Sequence, residues 1–216
     1  MFDNVIFDFD GTLFDTAGDI RAAFKKACAS CGCKIALKLH DIPIGPPLTE
    51  IISIVAPGAD IKQRDKIIKE FKRIYDSSSY PHTKPYTGVP ELLEILRDSK
   101  KKIFVATNKR SLPTKKIIRN HGYKYFRDIV TIDSLREAKY SKAQMIKHLI
   151  DKWGMKKNKT LMVGDAESDI IAARTNKILS CVVLYGYGDK RFLRGVDSDY
   201  MISSPKQLIK IILKGD

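Results

Sequence analysis

Asp8-Phe9-Asp10-Gly11-Thr12 sets two carboxylates one residue apart, directly behind the apolar run Val5-Ile6-Phe7. In an extended strand, residues i and i+2 share a face, so Asp8 and Asp10 begin on the same side. Adjacent ionised carboxylates repel and resist leaving water, which makes the pair costly at the end of a buried strand. A bound divalent cation relieves that cost, and a hard cation prefers oxygen ligands. Two carboxylates and a cation in a cleft make phosphoryl transfer the chemistry to expect. Other residues could join them. Thr107-Asn108 places a hydroxyl and an amide behind Ile103-Phe104-Val105-Ala106, and Gly164-Asp165-Ala166-Glu167-Ser168-Asp169 places further acids behind Leu161-Met162-Val163. Between these lies Lys142, near the start of a helical pattern.

The elements that must position these residues follow from periodicity. Apolar, β-rich runs recur at 5–9, 103–107, 129–132, 160–164 and 181–185, with a weaker one at 199–202. Helical patterns lie between them at 90–99, 112–121, 141–153, 166–175 and 205–213. Pro90 opens the first, Gly122 stops the second, and Ser141 and Gly154 bracket the third. Strands alternating with helices of this length predict parallel βαβ units, hence a doubly wound, Rossmann-like α/β sheet covered on both faces. One interval breaks the alternation. Residues 15–83 read as helices alone, at 17–30, 48–55 and 60–80, which predicts a small all-helical cap inserted after the first strand. The expected division is a core of residues 1–14 and 84–216 and a cap of residues 15–83. Such an insert would sit over the carboxyl ends of the strands, where open α/β sheets bind ligands.

Composition narrows the classes. The chain has 216 residues, 44% hydrophobic and 30% charged, the balance of a globular protein. Charges interrupt every hydrophobic stretch, so no membrane span is expected. No export signal is visible at the amino terminus, which predicts a cytoplasmic protein. Cys28, Cys31 and Cys33 resemble half of a zinc site, but no second close pair of Cys or His accompanies them, so reduced structural thiols are expected. The net charge is +14, and residues 84–160 carry 20 Lys and Arg against 7 Asp and Glu. A surplus of that size invites anionic partners. Yet Lys100-Lys101-Lys102 and Lys156-Lys157-Asn158-Lys159 immediately precede strands, at the pole opposite the acids, with no interleaved aromatic platform for bases. A solvated back face is expected there, and nucleic acid is not the expected partner. The sequence fixes no oligomeric state.

Together, Asp8-Phe-Asp-Gly-Thr-Leu-Phe-Asp15, Thr107-Asn108, Lys142 and Gly164-Asp165-x-x-x-Asp169 resemble, in order and spacing, the four motifs of the haloacid-dehalogenase-like superfamily. The resemblance covers nearly the whole chain. It is strongest to the phosphoglycolate-phosphatase-like branch, through Gly45-Pro-Pro-Leu-Thr-Glu50 and Tyr86-Thr-Gly-Val-Pro-Glu-Leu-Leu93. It implies a Mg²⁺-dependent phosphatase acting on a small phosphomonoester: phosphoglycolate-like, a sugar phosphate or a nucleotide. Asp8 would be the covalent nucleophile and Asp10 the acid and base. Asp8, the main-chain carbonyl of Asp10 and Asp165 would hold Mg²⁺. Thr107, the Asn108 amide and Lys142 would bind the phosphoryl oxygens, and Asp169 would orient Lys142 or a water from one step behind. Lys139 competes for the lysine role. Lys109 and Arg110 follow Asn108 and could also reach phosphate, but a solvated pair is the expected reading. His40, His82, His121 and His148 read as structural or surface residues. Arg21, Lys25 and residues 45–50 of the cap would meet the leaving group.

Two other readings are carried forward. Phosphomutases related to β-phosphoglucomutase also keep the second aspartate, but usually carry a cap-hinge histidine where this chain has Ile20, which favours hydrolysis. A basic protein that binds anions or nucleic acid and retains the fold without catalysis is the alternative from a different class. Dehalogenation is disfavoured, because dehalogenases of the superfamily lack the aspartate corresponding to Asp10.

Overall fold

The computed structural model describes residues 1–134 and 140–214. Lys139 therefore lies outside the described residues. The chain divides into two compact units, Met1–Asp15 with Pro85–Asp216, and Thr16–Lys84. The larger opens with β1 (Asn4–Phe7) and the two-residue β2 (Phe14–Asp15). The smaller holds α1 (Ala17–Ser30), α2 (Leu48–Val55) and α3 (Ile61–Ser77). After β3 (Lys84–Pro85) the larger unit continues with α4 (Val89–Asp98), β4 (Lys102–Thr107), α5 (Ser111–Asn120) and β5 (Phe126–Thr131). Then follow α6 (Lys142–Trp153), β6 (Thr160–Gly164), α7 (Glu167–Thr175), β7 (Leu179–Val183), α8 (Lys190–Leu193), β8 (Tyr200–Ile202) and α9 (Pro205–Lys214).

Among the described residues, six parallel strands form one sheet in the order β5-β4-β1-β6-β7-β8. The inner strands β1, β4, β6 and β7 have the near-continuous apolar sequences of strands buried on both faces, whereas the edge strands β5 and β8 are only partly buried. Asn4, Val5, Ile6 and Phe7 are all buried, paired with residues 102–105 on one side and 160–163 on the other. Ile6, Phe104 and Met162 meet Met145, Ile146 and Leu149 of α6 and Ala172 and Ala173 of α7. Each large apolar side chain so buried contributes about 1.5–3 kcal/mol. The chain steps outward from β1 to β4 and β5, then returns to β6 on the other side. That reversal makes the β1–β6 edge the topological switch point, where such sheets form their ligand crevice.

Local sequence explains how α6 is aimed. Ser141 and Gln144 make a reciprocal capping box: Ser141 N donates to Gln144 Oε1 at 2.8 Å, and Gln144 N to Ser141 Oγ at 3.3 Å. The helix therefore starts at Lys142, and it stops at Gly154 in the left-handed conformation. The lysine clusters lie at the amino-terminal edge of the sheet, since β4 begins at Lys102 and β6 at Thr160. Basic residues also occupy the last turns of α4, α5, α6 and α7, where cations complement helix dipoles.

In the smaller unit, Phe24 of α1 packs on Phe71 of α3 with ring centroids 4.3 Å apart, and Tyr75 stacks beyond it. Buried Asp19 ties the two ends of this unit together, accepting from His82 N at 3.1 Å and Thr83 Oγ1 at 2.7 Å. Arg21, expected to face a leaving group, donates through Nη2 to the carbonyls of His40 and Ile42. That end of the guanidinium braces the loop after α1. Cys28, Cys31, Cys33 and Cys181 are free thiols, with Cys28 and Cys181 buried. Several element ends differ from the periodicity, among them β5, which begins at Phe126, three residues before the expected start, and β1, which ends at Phe7. The helix expected over 60–80 is capped by Asp60, which accepts from Gln63 N, and stops at Ser77 before Tyr80 turns into the left-handed region. The strand expected over 181–185 ends at Val183, and the residues beyond it form a loop described below. Among the described residues no helix is long and apolar enough to cross a membrane.

Candidate active site

Asp8 continues the β1 ladder by one bond, its N–H donating to Val163 O at 2.9 Å, so its carboxylate starts from a fixed backbone. The chain then turns tightly. Gly11 takes φ +86°, a conformation glycine adopts without strain, and its N–H donates to Phe14 O. From this turn Thr12 Oγ1 donates to Asp165 Oδ1 at 3.1 Å, joining the end of β1 to the end of β6. Lys142, at the start of α6, reaches the end of β1 and the first turn of α7. Its Nζ lies 2.6 Å from Asp8 Oδ1 and 2.8 Å from Asp169 Oδ1. Asp169 also accepts from Ala166 N at 3.1 Å through Oδ2, which caps α7 and commits both of its oxygens. Thr107 is buried at the end of β4, where its hydroxyl accepts from Lys109 N at 3.1 Å, and Asn108 beside it is half-buried.

Seven ionisable or hydroxyl side chains predicted or found here, Asp8, Asp10, Thr107, Lys109, Lys142, Asp165 and Asp169, are each less than 9% exposed. Burial pushes the Asp8 carboxyl up to about 7, with Lys142 opposing it and Asp169 and Asp165 adding to the rise. Asp165 is pushed up to about 6, again chiefly by burial and then by Asp169. Burial works to lower Lys142, but the carboxylates of Asp169 and Asp8 outweigh it and hold its ammonium above the ordinary lysine range. The site is thus a buried cluster in which negative charge outnumbers the cation at its centre. Oxygens of Asp8, Asp165 and Asp169 lie within 4.8 Å of one another. An all-oxygen, net-anionic set of this size suits a hard divalent cation. Asp165 accepts one hydrogen bond at each oxygen, from Thr12 and from Tyr187 N, and each oxygen has a second lone pair.

Two parts of the site escaped the sequence reading. Lys109 is not solvated. Its side chain is 4% exposed, and Nζ lies 3.0 Å from Asp10 Oδ1 and 3.4 Å from Oδ2. Asp10's carboxylate is therefore turned toward Lys109 and stands outside the three-acid cluster, so any share it has in a metal site would come through its main-chain carbonyl. The second is the loop Tyr185-Gly186-Tyr187-Gly188 after β7. Tyr187 N donates to Asp165 Oδ2 at 2.7 Å, Tyr187 OH to Asp15 Oδ1 at 2.7 Å, and Tyr185 OH to Thr12 O at 3.1 Å. A glycine pair directly behind a strand was the available signal. The loop lies so close that a Cβ on Gly186 would overlap Gly11 O and the Asp165 side chain. Gly186→Ala is accordingly expected to displace Asp165, lowering turnover about 100-fold and stability by about 1–3 kcal/mol. Kinetics and urea denaturation of the variant read both, and unchanged values would show that the loop does not hold Asp165 in place.

Comparison with known proteins agrees with this fold. Residues 5–183 match the family model described as haloacid dehalogenase-like hydrolase, and the chain belongs to that family. It is 30% identical over 210 residues to a phosphoglycolate phosphatase of Aquifex aeolicus, covering 96% of this chain and 95% of that one. It is 28% identical over 192 residues to a 5'-nucleotidase of Pseudomonas aeruginosa, covering 88% and 86%. Among solved structures, a predicted phosphatase from Clostridium acetobutylicum superposes with a TM-score of 0.87 at 27% identity over 99% of each chain.

Proposed function

We propose that this protein is a Mg²⁺-dependent phosphatase that hydrolyses a small phosphomonoester through an aspartyl-phosphate on Asp8. The observation that carries the reading is the buried Asp8 carboxylate, held 2.6 Å from Lys142 at the switch point of the sheet, with Asp10 two residues on and Asp165 across the crevice. Asp8 attacks phosphorus, and the bond from phosphorus to the ester oxygen breaks. Asp10 enters this step as the carboxylic acid, and the leaving oxygen takes the electron pair and Asp10's proton. Asp10, now a carboxylate, removes a proton from water, which attacks phosphorus, releases inorganic phosphate and restores Asp8. Lys142, the Thr107 hydroxyl and the Asn108 amide stabilise the phosphoryl oxygens as charge redistributes. Asp8, Asp165 and the Asp10 carbonyl would hold Mg²⁺, while Asp169 anchors Lys142. When bound, the cation neutralises charge on the acids and on the phosphoryl group.

The relatives named as acting on phosphoglycolate and on 5'-nucleotides support a small phosphorylated substrate. Ile20, buried in α1, stands where mutases of the resembling family carry a hinge histidine, which supports hydrolysis over transfer. The free thiols are in keeping with work in the cytoplasm. The test is phosphate release from a panel of phosphoglycolate, sugar phosphates and nucleoside monophosphates, with Mg²⁺ and with chelator. Turnover of at least one ester that stops with chelator is the expected result. Turnover of none, or turnover indifferent to chelator, overturns the proposal.

A further inference from the structure

We propose that Lys109 is the positioning residue for Asp10, a role that rests on Asp10 being the proton shuttle. A lysine side chain only 4% exposed is costly to bury, and here it meets a carboxylate that is itself 9% exposed. The two oxygens of Asp10 lie 3.0 and 3.4 Å from Nζ, so the ammonium grips the carboxylate across its fork. Nζ also stands 5.9 Å from the ring centre of fully buried Phe9, and Lys109 N is fastened to Thr107 Oγ1 at 3.1 Å. The cation is therefore held from the backbone outward, at the end of β4, with its head aimed at the end of β1.

What this does for the reaction follows from side-chain freedom. The terminal torsion of an aspartate is broad, so a carboxyl group left to itself samples many orientations. Proton transfer needs the group within hydrogen-bond reach of the leaving oxygen and then of water. Lys109 removes that freedom before substrate arrives, and a preorganised shuttle has less to order in the transition state. The site thus assigns one buried lysine to each working carboxylate: Lys142 to the nucleophile and Lys109 to the shuttle.

The experiment compares two esters in wild type, Lys109→Met and Lys109→Arg. An alkyl phosphomonoester has a poor leaving group that needs Asp10's proton, whereas p-nitrophenyl phosphate leaves without one. In Lys109→Met, kcat/KM for the alkyl ester is expected to fall about 100-fold and that for the aryl ester less than about fivefold. Lys109→Arg should recover about tenfold of the alkyl loss by restoring the cation. In an Asp10→Asn background, Lys109→Met should cost nothing further. Equal losses on both esters, additive losses, or full alkyl activity in folded Lys109→Met would overturn the proposal. Lys109→Gln gives the same contrast if the methionine variant does not fold. A wild type that turns over neither ester, or an Asp8→Asn variant that keeps turnover, would defeat the phosphatase reading instead. The pairing is read without turnover by NMR of the lysine ammonium. Its signal should be protected from exchange in wild type and lost in Asp10→Asn, and a signal unchanged in Asp10→Asn would overturn the pairing itself.

Discussion

Asp8→Asn is expected to abolish phosphate release while the protein stays folded. Asparagine has nearly the same shape but cannot donate the oxygen that forms an acyl phosphate. The loss should be about 10⁴–10⁶-fold, the range seen when a covalent nucleophile is removed. Stability should move little or rise. Burial and the neighbouring carboxylates already disfavour the charged form of Asp8, so replacing it with a neutral amide relieves repulsion. Lys142 keeps Asp169 at 2.8 Å as a charged partner. Phosphate release with Mg²⁺ present, and thermal melting in metal-free buffer at pH 8, check the two halves. Activity within tenfold of wild type in a well-folded variant would remove Asp8 from the chemistry.

The second large effect is expected from Lys142→Met, and it should depend on pH. The ammonium is the cation bridging Asp8 and Asp169, and both partners and the lysine itself are at most 7% exposed on their side chains. Removing one member of a buried charged cluster typically costs about 3–5 kcal/mol, because the groups left behind are uncompensated. Asp8 and Asp165 already bind protons more tightly folded than unfolded, titrating near 7 and 6. For such groups, the folded state is favoured at low pH. Stability is lost as pH rises from the ordinary carboxylate range through the raised values. Without the lysine that loss deepens. Chelated Lys142→Met should therefore be markedly less stable than wild type at pH 8 and nearer to it around pH 5, where Asp8 and Asp165 are protonated. Turnover should fall at least about 1000-fold, since the cation proposed to face the phosphoryl oxygens is gone. Urea denaturation at the two pH values is decisive, and a deficit independent of pH would show that Lys142 stabilises by packing alone.

The parts of the site legible in the sequence were those set by local rules. Asp8, Thr107 and Asp165 were found because each follows an apolar run, and in a parallel sheet all such runs end at one edge. Lys142 was singled out because it opens an amphipathic helix behind the Ser141 cap, and α6 does start there. The parts missed depend on where a side chain goes after the local rules end. Lys109-Arg110 looks like a solvated pair of cations, and only the approach of the β1 and β4 ends directs Lys109 inward onto Asp10. Tyr187 was hidden because Val182-Val183-Leu184-Tyr185 reads as continuous strand. The ladder instead ends at Val183, and the glycines that follow fold the loop back onto Asp165. Asp19 carries no signal in the sequence beyond being an acid within a helical pattern. Its partners, His82 and Thr83, lie more than sixty residues away in the chain.

The position of β1 also sets the order in which the protein can be made. This central strand lies near the amino terminus, yet its two neighbours are residues 102–105 and 160–163. At the ribosome's pace the strand that leads into Asp8 therefore waits about 10–30 s for its second partner. Thr16–Lys84, contiguous in the chain, is complete long before the sheet can close. Pairings of such long range are slow to form and leave an apolar strand uncovered meanwhile. Newly made chains, rather than mature enzyme, are thus the population most exposed to aggregation and most dependent on chaperones.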